Sequence, residues 1–321
     1  MKRNAFDLIL PAVRPIQPYL DDDSVSEIMI NGDQRVFIER EGWISEVTSQ
    51  IDFSRFNLQF ASTTIARLAS DDIGERNPLL DARLPDGSRI AIAFPPVSQN
   101  GPTLTIRKFR RRQLSIGELV EHETLSEELA SELRKAISNR QTILISGGTG
   151  SGKTTLLNAL ANSIDASERI GLIEDTPELK LSLPNVFAFQ ARREQQGLEG
   201  VSIRQLVRAA LRHRPDRIIV GEVRGAEAWD LLQALNTGHP GSLSTIHAQT
   251  PQKALSRLAG LVLQGDVGIP YSAVQIEIAH LIDFVVQIGR HNGRRRVTEC
   301  FRVSHFDPDR QVFDGDIFYR A

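Results

Sequence analysis

The sequence predicts an α/β protein of two domains, a small α+β domain followed by a larger domain built on a mostly parallel sheet. The chain of 321 residues is long for a single domain and has room for two buried cores. Its pattern changes near residue 116, where short β-like runs give way to apolar strands that alternate with helices. A glycine-rich loop at residues 147–154 directly follows one of these apolar strands, an order typical of phosphate-binding α/β folds.

Composition describes an ordinary globular protein, with 40% hydrophobic and 24% charged residues and a formal net charge of -2. This balance disfavours a general nucleic-acid coating protein. The single cysteine, Cys300, can form neither an internal disulfide nor a four-thiolate zinc site, which fits a reducing cytoplasm. Because no apolar run approaches about 18 residues and charges interrupt the N-terminal segment, we expect neither a membrane span nor a signal peptide. Any membrane association is expected to be peripheral.

Short strands and one helix are predicted for the first domain, residues 1–107. The strands cover residues 26–31, 35–39, 80–84 and 88–94, and turn residues at 85–87 join the last two. Apolar residues at helical spacing predict one covering helix over residues 53–68. The domain is therefore expected to be a sheet with a helix packed on one face.

A dense basic cluster follows the last strand of the first domain. Arg110, Arg111 and Arg112 form the sharpest local charge feature, and we place a basic linker over residues 108–115. Two interpretations of this cluster stay open. It is either a solvated connector, or Arg107 and its neighbours reach a nucleotide phosphate or an acidic neighbouring domain.

Alternating strands and helices predict the architecture of the second domain, residues 116–321. Its apolar strands cover residues 142–146, 170–174, 217–222 and 242–247. The alternation indicates a mostly parallel sheet with helices on both faces, in which ligands bind at the carboxyl ends of the strands. Residues 284–318 differ, because Asn292 and Gly293 separate two β-like runs. We predict a small antiparallel C-terminal appendage there.

The segment 147–154, called the phosphate loop below, matches the phosphate-binding pattern at every fixed position. Its glycines allow successive backbone amides to turn toward phosphates at a helix N-terminus. Lys153 is placed to neutralise the β and γ phosphates of a nucleoside triphosphate, and the Thr154 hydroxyl is placed to bind Mg²⁺. The predicted nucleotide contacts are Gly147, Gly148, Thr149, Gly150, Ser151, Gly152, Lys153, Thr154 and Thr155. The alternative interpretation is a flexible Gly/Ser-rich loop.

Three later strand ends carry polar residues of the kind that nucleotide hydrolysis requires, and with Lys153 they form the predicted catalytic set. Glu174 ends the second strand and is the first candidate for the general base. Glu222 ends the third strand in place of the usual aspartate, and its longer side chain can hold Mg²⁺ through water. His247 ends the fourth strand, where an imidazole can sense the γ-phosphate. Each residue alone also fits a structural role, such as helix capping for Glu174.

A ridge of three arginines is predicted on the helix at residues 202–213. Arg204, Arg208 and Arg212 recur every fourth residue on one face, while apolar residues fill another. Three cations in line repel one another, so an acidic surface or a phosphate partner would make the arrangement favourable. The ridge is either a solvated face or the source of an arginine that completes the site of a neighbouring subunit. The competing candidates for that role are Arg192, Arg193 and Arg214.

Taken together, these motifs resemble the secretion ATPase superfamily, and most closely the conjugal-transfer ATPases of type IV secretion systems. The matching segments are residues 26–32, 104–109, 147–154, 173–178, 221–224 and 245–248. The resemblance implies a RecA-like P-loop ATPase domain after the small N-terminal domain. The roles it implies are phosphate and Mg²⁺ binding for Lys153 and Thr154, water activation and metal positioning for Glu174 and Glu222, phosphate sensing for His247, and nucleotide or inter-domain contact for Arg107.

The resemblance also implies a mode of action. Members of the family form homohexameric rings, with nucleotide between the two domains and arginines supplied by neighbouring subunits. Such rings hydrolyse ATP at the cytoplasmic face of the bacterial inner membrane, together with other type IV secretion components. They power pilus biogenesis and substrate translocation. We accordingly expect a cytoplasmic protein that associates peripherally with the inner membrane.

Several alternatives stay open at this point. Relatives in type II secretion and pilus extension commonly carry a four-cysteine zinc element, which a chain with one cysteine cannot form, so type IV secretion is favoured. Pilus-retraction and tight-adherence ATPases share the same motifs. A nucleic-acid motor is a further alternative because the basic runs 110–112 and 294–296 can form local patches, although direct DNA contact is not indicated. The last alternative is a nucleotide-gated scaffold with little turnover.

Overall fold

The computed structural model describes residues 13–32, 34–40, 42–51, 57–68, 73–84, 87–108, 113–192, 199–291 and 294–320. The chain divides into two compact units, Met1–Arg112 and Gln113–Ala321. The division lies inside the segment 108–115 predicted as a linker. Within that segment, residues 109–112 lie outside the described residues.

The first unit contains a six-stranded antiparallel sheet. Its strands are β1 (Val25–Ile30), β2 (Val36–Arg40), β3 (Trp43–Glu46), β4 (Leu79–Arg83), β5 (Arg89–Ala93) and β6 (Thr103–Arg107). Their spatial order is β3-β2-β1-β6-β5-β4, and all neighbours pair antiparallel. The helices are α1 (Gln17–Asp21) and α2 (Leu58–Leu68), with 3₁₀ turns at Arg14–Ile16 and Thr48–Gln50.

Alternating side chains create one apolar face on this sheet. Ile28 and Ile30 of β1 and Leu104 and Ile106 of β6 are buried, and they form one core with Ile65 of α2. The helix predicted over residues 53–68 is described only from Leu58, because residues 52–56 lie outside the described residues.

Strand β3 is not predicted from the sequence. All four of its residues are exposed, and Trp43 and Ile44 are 68% and 64% exposed. Because the strand buries neither face, it lacks the alternation of apolar and polar residues by which strands are recognised. Its pairing with β2 holds it at the edge of the sheet.

The second unit contains an eight-stranded sheet and seven α-helices within the described residues. The strands are β7 (Ile143–Gly147), β8 (Ile170–Glu174), β9 (Val186–Gln190), β10 (Arg217–Val220), β11 (Leu243–Ile246), β12 (Phe284–His291), β13 (Arg294–Asp307) and β14 (Val312–Arg320). The helices are α3 (Ile116–Glu121), α4 (Glu127–Ser138), α5 (Lys153–Ala161), α6 (Ile203–Ala210), α7 (Glu227–Asn236), α8 (Pro251–Leu263) and α9 (Tyr271–Leu281). No helix in these described ranges is long and apolar enough to cross a membrane.

The sheet of the second unit has the order β14-β13-β12-β7-β11-β10-β8-β9, and the neighbours from β12 to β9 pair in parallel. Both faces are covered. On β7, Ile143 and Ile145 pack into the core formed with α3, α4 and α5, whereas Leu144 packs into the core formed with α6 to α9. The predicted α/β fold class with a mostly parallel sheet is confirmed. The carboxyl ends of the parallel strands meet at one edge, which brings the residues that follow them together.

The C-terminal strands β12, β13 and β14 pair antiparallel, as predicted for the appendage. Because β12 also pairs in parallel with β7, these strands continue the central sheet and do not form a separate layer. The predicted turn residues 292–293 lie outside the described residues. At the opposite edge, β9 is not predicted from the sequence, and none of its five residues is fully buried.

Candidate active site

The phosphate loop connects the end of β7 to the start of α5. Gly150 and Gly152 have φ angles of 67° and 103°, in the left-handed region that glycine adopts without strain. Such angles let the backbone amides point into the concavity of the loop, beside the N-terminus of α5. Lys153 Nζ donates hydrogen bonds to the carbonyl oxygens of Gly147 and Gly148 at 3.1 and 2.8 Å. The cation that the sequence assigns to the phosphates therefore lies within the loop.

Glu174 is the last residue of β8, and the backbone of the following turn fixes it. Its side chain is buried, and Oε1 accepts hydrogen bonds from the amides of Glu178 and Leu179 at 2.8 and 3.0 Å. Gly221, after β10, approaches it closely. A β carbon at position 221 would lie 3.1 Å from Glu174 Cγ, so a larger residue there would displace the carboxylate. Glu174 is thus held in one orientation at the carboxyl edge of the sheet.

Lys153, Glu222 and His247 lie together, with Arg224 as a fourth member; we call these four residues the charged cluster. Glu222 Oε1 is 3.0 Å from His247 Nε2, and Glu222 Oε2 accepts a hydrogen bond from Arg224 Nη2 at 2.9 Å. Lys153 Nζ is 3.4 Å from His247 Nδ1. Two segments distant in sequence from the phosphate loop thus bring a carboxylate, a guanidinium and an imidazole to Lys153.

Burial and neighbouring charges set the protonation states in the charged cluster. Burial raises the pKa of Glu222, but the hydrogen bond and charge of Arg224, with His247 and Lys153, outweigh it and hold the pKa below its ordinary value. Burial also lowers the pKa of His247; Glu222 opposes this effect, and Lys153 and Arg224 add to it. At neutral pH, Glu222 is therefore a carboxylate and His247 is a neutral imidazole.

Known proteins resemble this chain over most of its length. Residues 12–304 match the protein family T2SSE, Type II/IV secretion system protein. The chain belongs to this family. The type IV secretion system protein VirB11 of Bartonella henselae is 33% identical over 96% of both chains. The conjugal transfer protein TrbB of Rhizobium radiobacter is 35% identical over 89% of this chain and 86% of its own.

A solved structure adds to these relatives. The VirB11 ATPase from the Brucella suis type IV secretion system is 30% identical, with a TM-score of 0.50, and the match covers 93% of this chain and 95% of that one. The family, VirB11 and TrbB confirm the prediction of a secretion ATPase of the type IV secretion class.

The first two arginines of the predicted ridge are bound to an acidic residue of the same chain. Arg204 and Arg208 of α6 both donate from Nε to the carboxylate of Asp230 on α7, Arg204 at 2.7 Å. Asp230 is buried, and the side chains of Arg204 and Arg208 are 32% and 59% exposed. Asp230 on the next helix is therefore the acidic partner that offsets the repulsion between these two arginines.

The other candidate arginines, at positions 192, 193 and 212, are not part of α6. Arg212 is exposed in a 3₁₀ turn, and the carbonyl oxygen of the adjacent His213 accepts a hydrogen bond from Arg169, just before β8. Arg212 therefore lies at the edge of the sheet opposite the phosphate loop. Arg192 follows β9 and donates two hydrogen bonds, at 3.1 and 2.9 Å, to a nearby backbone carbonyl. Arg193 lies outside the described residues.

Arg107 ends β6 in the first unit, where it is exposed and opposite Glu27 of β1. Burial raises the pKa of Glu27, and the charge of Arg107 offsets this only in part. The register thus gives Arg107 an acidic neighbour within its own unit. Its contact with nucleotide or with the second domain stays a prediction.

Two side chains that bind predicted site residues or candidate arginines are missed by sequence reasoning. Arg224 follows Glu222 by two residues, a spacing that puts both side chains on one side of an extended segment, and this was an available signal. Asp230 carries no such signal, because its contact with Arg204 joins helices 26 residues apart in sequence. Arg224 thus binds Glu222, and Asp230 binds Arg204 and Arg208.

Proposed function

We propose that this chain hydrolyses ATP to ADP and phosphate in a Mg²⁺-dependent reaction that drives type IV secretion or conjugative transfer. The observation that carries the proposal is the charged cluster beside the phosphate loop, where Glu222 contacts both Arg224 and His247. A phosphate-binding loop and an adjacent carboxylate are parts that phosphoryl transfer requires. Identities of 33% to VirB11 and 35% to TrbB over most of the chain support type IV secretion as the process.

The phosphate loop fits the triphosphate of ATP. The left-handed conformations of Gly150 and Gly152 create a concavity of backbone amides, which favours an anion. Lys153 adds a positive charge inside the loop, where the β and γ phosphates bind in this motif. The proposed nucleotide contacts are Gly147, Gly148, Thr149, Gly150, Ser151, Gly152, Lys153, Thr154 and Thr155.

Thr154 and Glu222 fit Mg²⁺ by the chemistry of their oxygen atoms. Thr154 lies in the first turn of α5 and supplies a hydroxyl, and Glu222 is ionised because its pKa is lowered. The contacts with Arg224 and His247 already engage both Glu222 oxygens, so Glu222 would hold the ion through water. When bound, Mg²⁺ would neutralise charge that develops on the phosphate oxygens.

Glu174 is the proposed general base. Two backbone amides orient its buried carboxylate, which accepts a proton from the water that attacks the γ-phosphorus. The water oxygen bonds to phosphorus, the bond to the β–γ bridging oxygen breaks, and ADP leaves with that electron pair. Lys153 stabilises the charge on the transferred group. His247 lies between Lys153 and Glu222 and so responds to the loss of the γ-phosphate.

The proposed assembly is a homohexamer that acts peripherally at the cytoplasmic face of the bacterial inner membrane with other type IV secretion components. The domains are residues 1–107, the basic linker 108–115, and the ATPase domain 116–321. Arg107 would contact nucleotide or the second domain. One arginine would complete a neighbouring subunit's site. The candidates for it are Arg192, Arg193, Arg204, Arg208 and Arg212. Asp230 preorganises two of them.

Light scattering coupled to phosphate release tests this proposal. With Mg²⁺ and a non-hydrolysable ATP analogue the parent is expected to be a hexamer, and with ATP it is expected to release phosphate. Lys153→Ala should weaken ATP binding by about 100-fold, because the charge-assisted hydrogen bonds of the ammonium are lost. Lys135→Ala, on the exposed side of α4, is the matched control and should leave binding unchanged.

Circular dichroism first establishes that both lysine variants are folded. Hydrolysis by folded Lys153→Ala at the parent's rate would overturn the assignment of ATP hydrolysis to the phosphate loop. A persistent monomer that still hydrolyses ATP would remove the ring, and with it the arginines supplied by neighbouring subunits.

A further inference from the structure

The paired ends of β12 and β13 lie beside the phosphate loop. Strand β12 runs parallel to β7, with Ile288 in register with Gly147, so both strands end at the same edge of the sheet. Beyond this point β12 and β13 pair antiparallel, and Arg290 lies in register with Arg295. The strand pairing thus carries two arginines, 290 and 295, to the loop that is built to hold an anion. We call them the hairpin arginines.

Arg295 contacts the phosphate loop directly. Its Nε donates a hydrogen bond to the carbonyl oxygen of Gly150 at 3.1 Å. Its Cδ would lie 3.2 Å from a β carbon at Gly152, so the stem of the side chain packs on the loop. Arg290 approaches from the paired strand, and its Nη2 would lie 3.3 Å from a β carbon at Gly150. Both guanidinium groups therefore lie against the middle of the loop.

The basic run at residues 294–296 divides into two functions along the strand. Successive side chains on a strand point to opposite faces, and the contacts follow this rule. Arg294 Nη1 and Arg296 Nη2 both pair with Glu123 Oε2, at 2.8 and 2.9 Å, and Arg296 Nε also donates to the Glu123 carbonyl oxygen. Arg295, between them, turns to the phosphate loop. Arg294 and Arg296 thus bind β13 to the turn after α3, and Arg295 contacts the phosphate loop.

Two like charges directly across a strand pair repel each other, and Arg290 and Arg295 are such a pair. A polyanion held by the phosphate loop would lie beside both guanidinium groups and convert this repulsion into attraction. Guanidinium groups suit this role because their planar array of donors matches phosphate oxygens.

We propose that Arg290 and Arg295 bind the phosphate chain of the nucleotide, as a second set of cations beside Lys153. This inference rests on the proposed function, because it takes the phosphate loop as the nucleotide site. It also separates the run 294–296 from nucleic-acid binding, since two of its arginines are held by Glu123 and the third faces the loop. The binding chemistry is recognition of a polyphosphate, not of the base.

Four matched substitutions test the proposal: Arg290→Gln, Arg295→Gln, Arg294→Gln and Arg296→Gln. Calorimetry measures binding of a non-hydrolysable ATP analogue, of inorganic tripolyphosphate and of adenosine. Each hairpin substitution should weaken binding of the analogue and of tripolyphosphate by about 10-fold, the usual scale for a charge-assisted contact, and leave adenosine unaffected. The affinity should also depend less steeply on salt between about 50 and 300 mM, because a charge is lost. The controls at 294 and 296 should change each affinity by less than about twofold.

Arg295→Lys separates charge from support of the loop, because it keeps the charge without the guanidinium fork. It should retain most of the tripolyphosphate affinity and salt dependence that Arg295→Gln loses. Equal loss of adenosine and tripolyphosphate affinity in Arg295→Gln would show that Arg295 only supports the loop, and would overturn the proposal.

The remaining outcomes distinguish this inference from the proposed function. Normal binding of the ATP analogue by the parent and by both hairpin variants would overturn the inference and leave the ATPase assignment standing. A parent that binds neither the analogue nor tripolyphosphate would overturn both. Loss of single-stranded DNA binding in all four variants, with nucleotide affinity intact, would make the hairpin a nucleic-acid patch and would also overturn the inference.

Discussion

Two glutamates lie at the same edge of the large sheet but are held in opposite ways. Glu174 ends β8 and Glu222 follows β10, the neighbouring strand. Glu174 is buried and bound by backbone amides. Glu222, with its side chain 20% exposed, is bound by the side chains of Arg224 and His247. Residues of one chemical type are thus fixed by main-chain amides in one case and by side-chain groups in the other.

The kind of partner decides what each carboxylate can do. Backbone amides keep their positions while side chains rotate, so they hold Glu174 in one orientation, which a group that accepts a proton from a positioned water needs. Side-chain partners can rearrange when the local charge changes, so Glu222 can respond to a metal ion or to the γ-phosphate. The difference supports Glu174 as the base and Glu222 as the metal-positioning residue.

Glu174→Gln should have the largest effect of the substitutions that compare the two glutamates. The amide oxygen of glutamine can still accept the hydrogen bonds from Glu178 and Leu179, so the turn is preserved while the base is removed. We expect kcat to fall by about 100- to 1000-fold, within the range for loss of a general base, with little change in affinity for the ATP analogue. Phosphate release at saturating ATP and calorimetry measure the two quantities.

Glu178→Gln is the matched control for Glu174→Gln. Glu178 contributes its backbone amide, which the substitution keeps, so turnover should stay within about twofold of the parent. Turnover by Glu174→Gln equal to that of the parent would refute the assignment of the base. Glu174 and Glu222 would then differ in their hydrogen-bond partners, but the difference would not support separate catalytic roles.

Glu222→Gln should have a smaller effect, mainly on Mg²⁺. The substitution removes the negative charge that Arg224 and His247 contact, and with it the carboxylate that holds the ion through water. The Mg²⁺ concentration for half-maximal hydrolysis should rise by about 10-fold, as for loss of an outer-shell partner. Asp175→Asn is the control, because Asp175 lies 3.9 Å from Arg224 and is not assigned to the ion. The same rise in both variants would mean that general negative charge, and not Glu222, sets the Mg²⁺ requirement.

Most of the fold and the centre of the site could be predicted from the sequence. The phosphate loop fixes the order of strand, loop and helix, and the carboxyl ends of parallel strands share one edge, so residues such as Glu222 and His247 must approach the loop. Their contact at 3.0 Å agrees with that rule. Strand β3 was beyond such reasoning, because residues such as Trp43 bury neither face and leave no periodic signal. Strand β9 was missed although Phe187 and Phe189 alternate along it and pack against the core.

Contacts that depend on tertiary packing could not be predicted in the same way. The bond from Arg295 to Gly150 joins residues 145 apart, and it exists only because β12 pairs beside β7. The arginine ridge makes a second contact of this kind. Repulsion among its charges correctly indicates an acidic partner, but a sequence contains no information that pairs Arg204 with Asp230 on the next helix before the helices are packed.

Asp22, in the first unit, combines both kinds of partner and provides the mildest test of the comparison. Its Oδ1 accepts hydrogen bonds from the Ser24 hydroxyl and the Ser24 amide, and its Oδ2 accepts one from Arg40 Nη2. The Ser24 hydroxyl, the Ser24 amide and Arg40, in that order, lower the pKa of Asp22 from 3.8 to about 2. The Asp22 side chain is only partly buried, 33% exposed, so solvent screens its contacts and the effect on stability should be small.

The sign of the pH dependence follows from the lowered pKa of Asp22. Because the unfolded chain binds this proton more tightly, the carboxylate stabilises the folded state above pH 3.8, and the contribution is lost as pH falls through about 2. The urea midpoint of the parent, followed by circular dichroism, should therefore exceed that of Asp22→Asn near neutral pH, and the gap should close in acid. Ser24→Ala keeps the amide donor and should retain part of the gap, whereas a gap independent of pH would show that Asp22 acts through packing. Both Ser24→Ala and Arg40→Gln keep the Ser24 amide donor, so a larger residual gap in Arg40→Gln than in Ser24→Ala would rank the Ser24 hydroxyl above the guanidinium, as the pKa of Asp22 predicts.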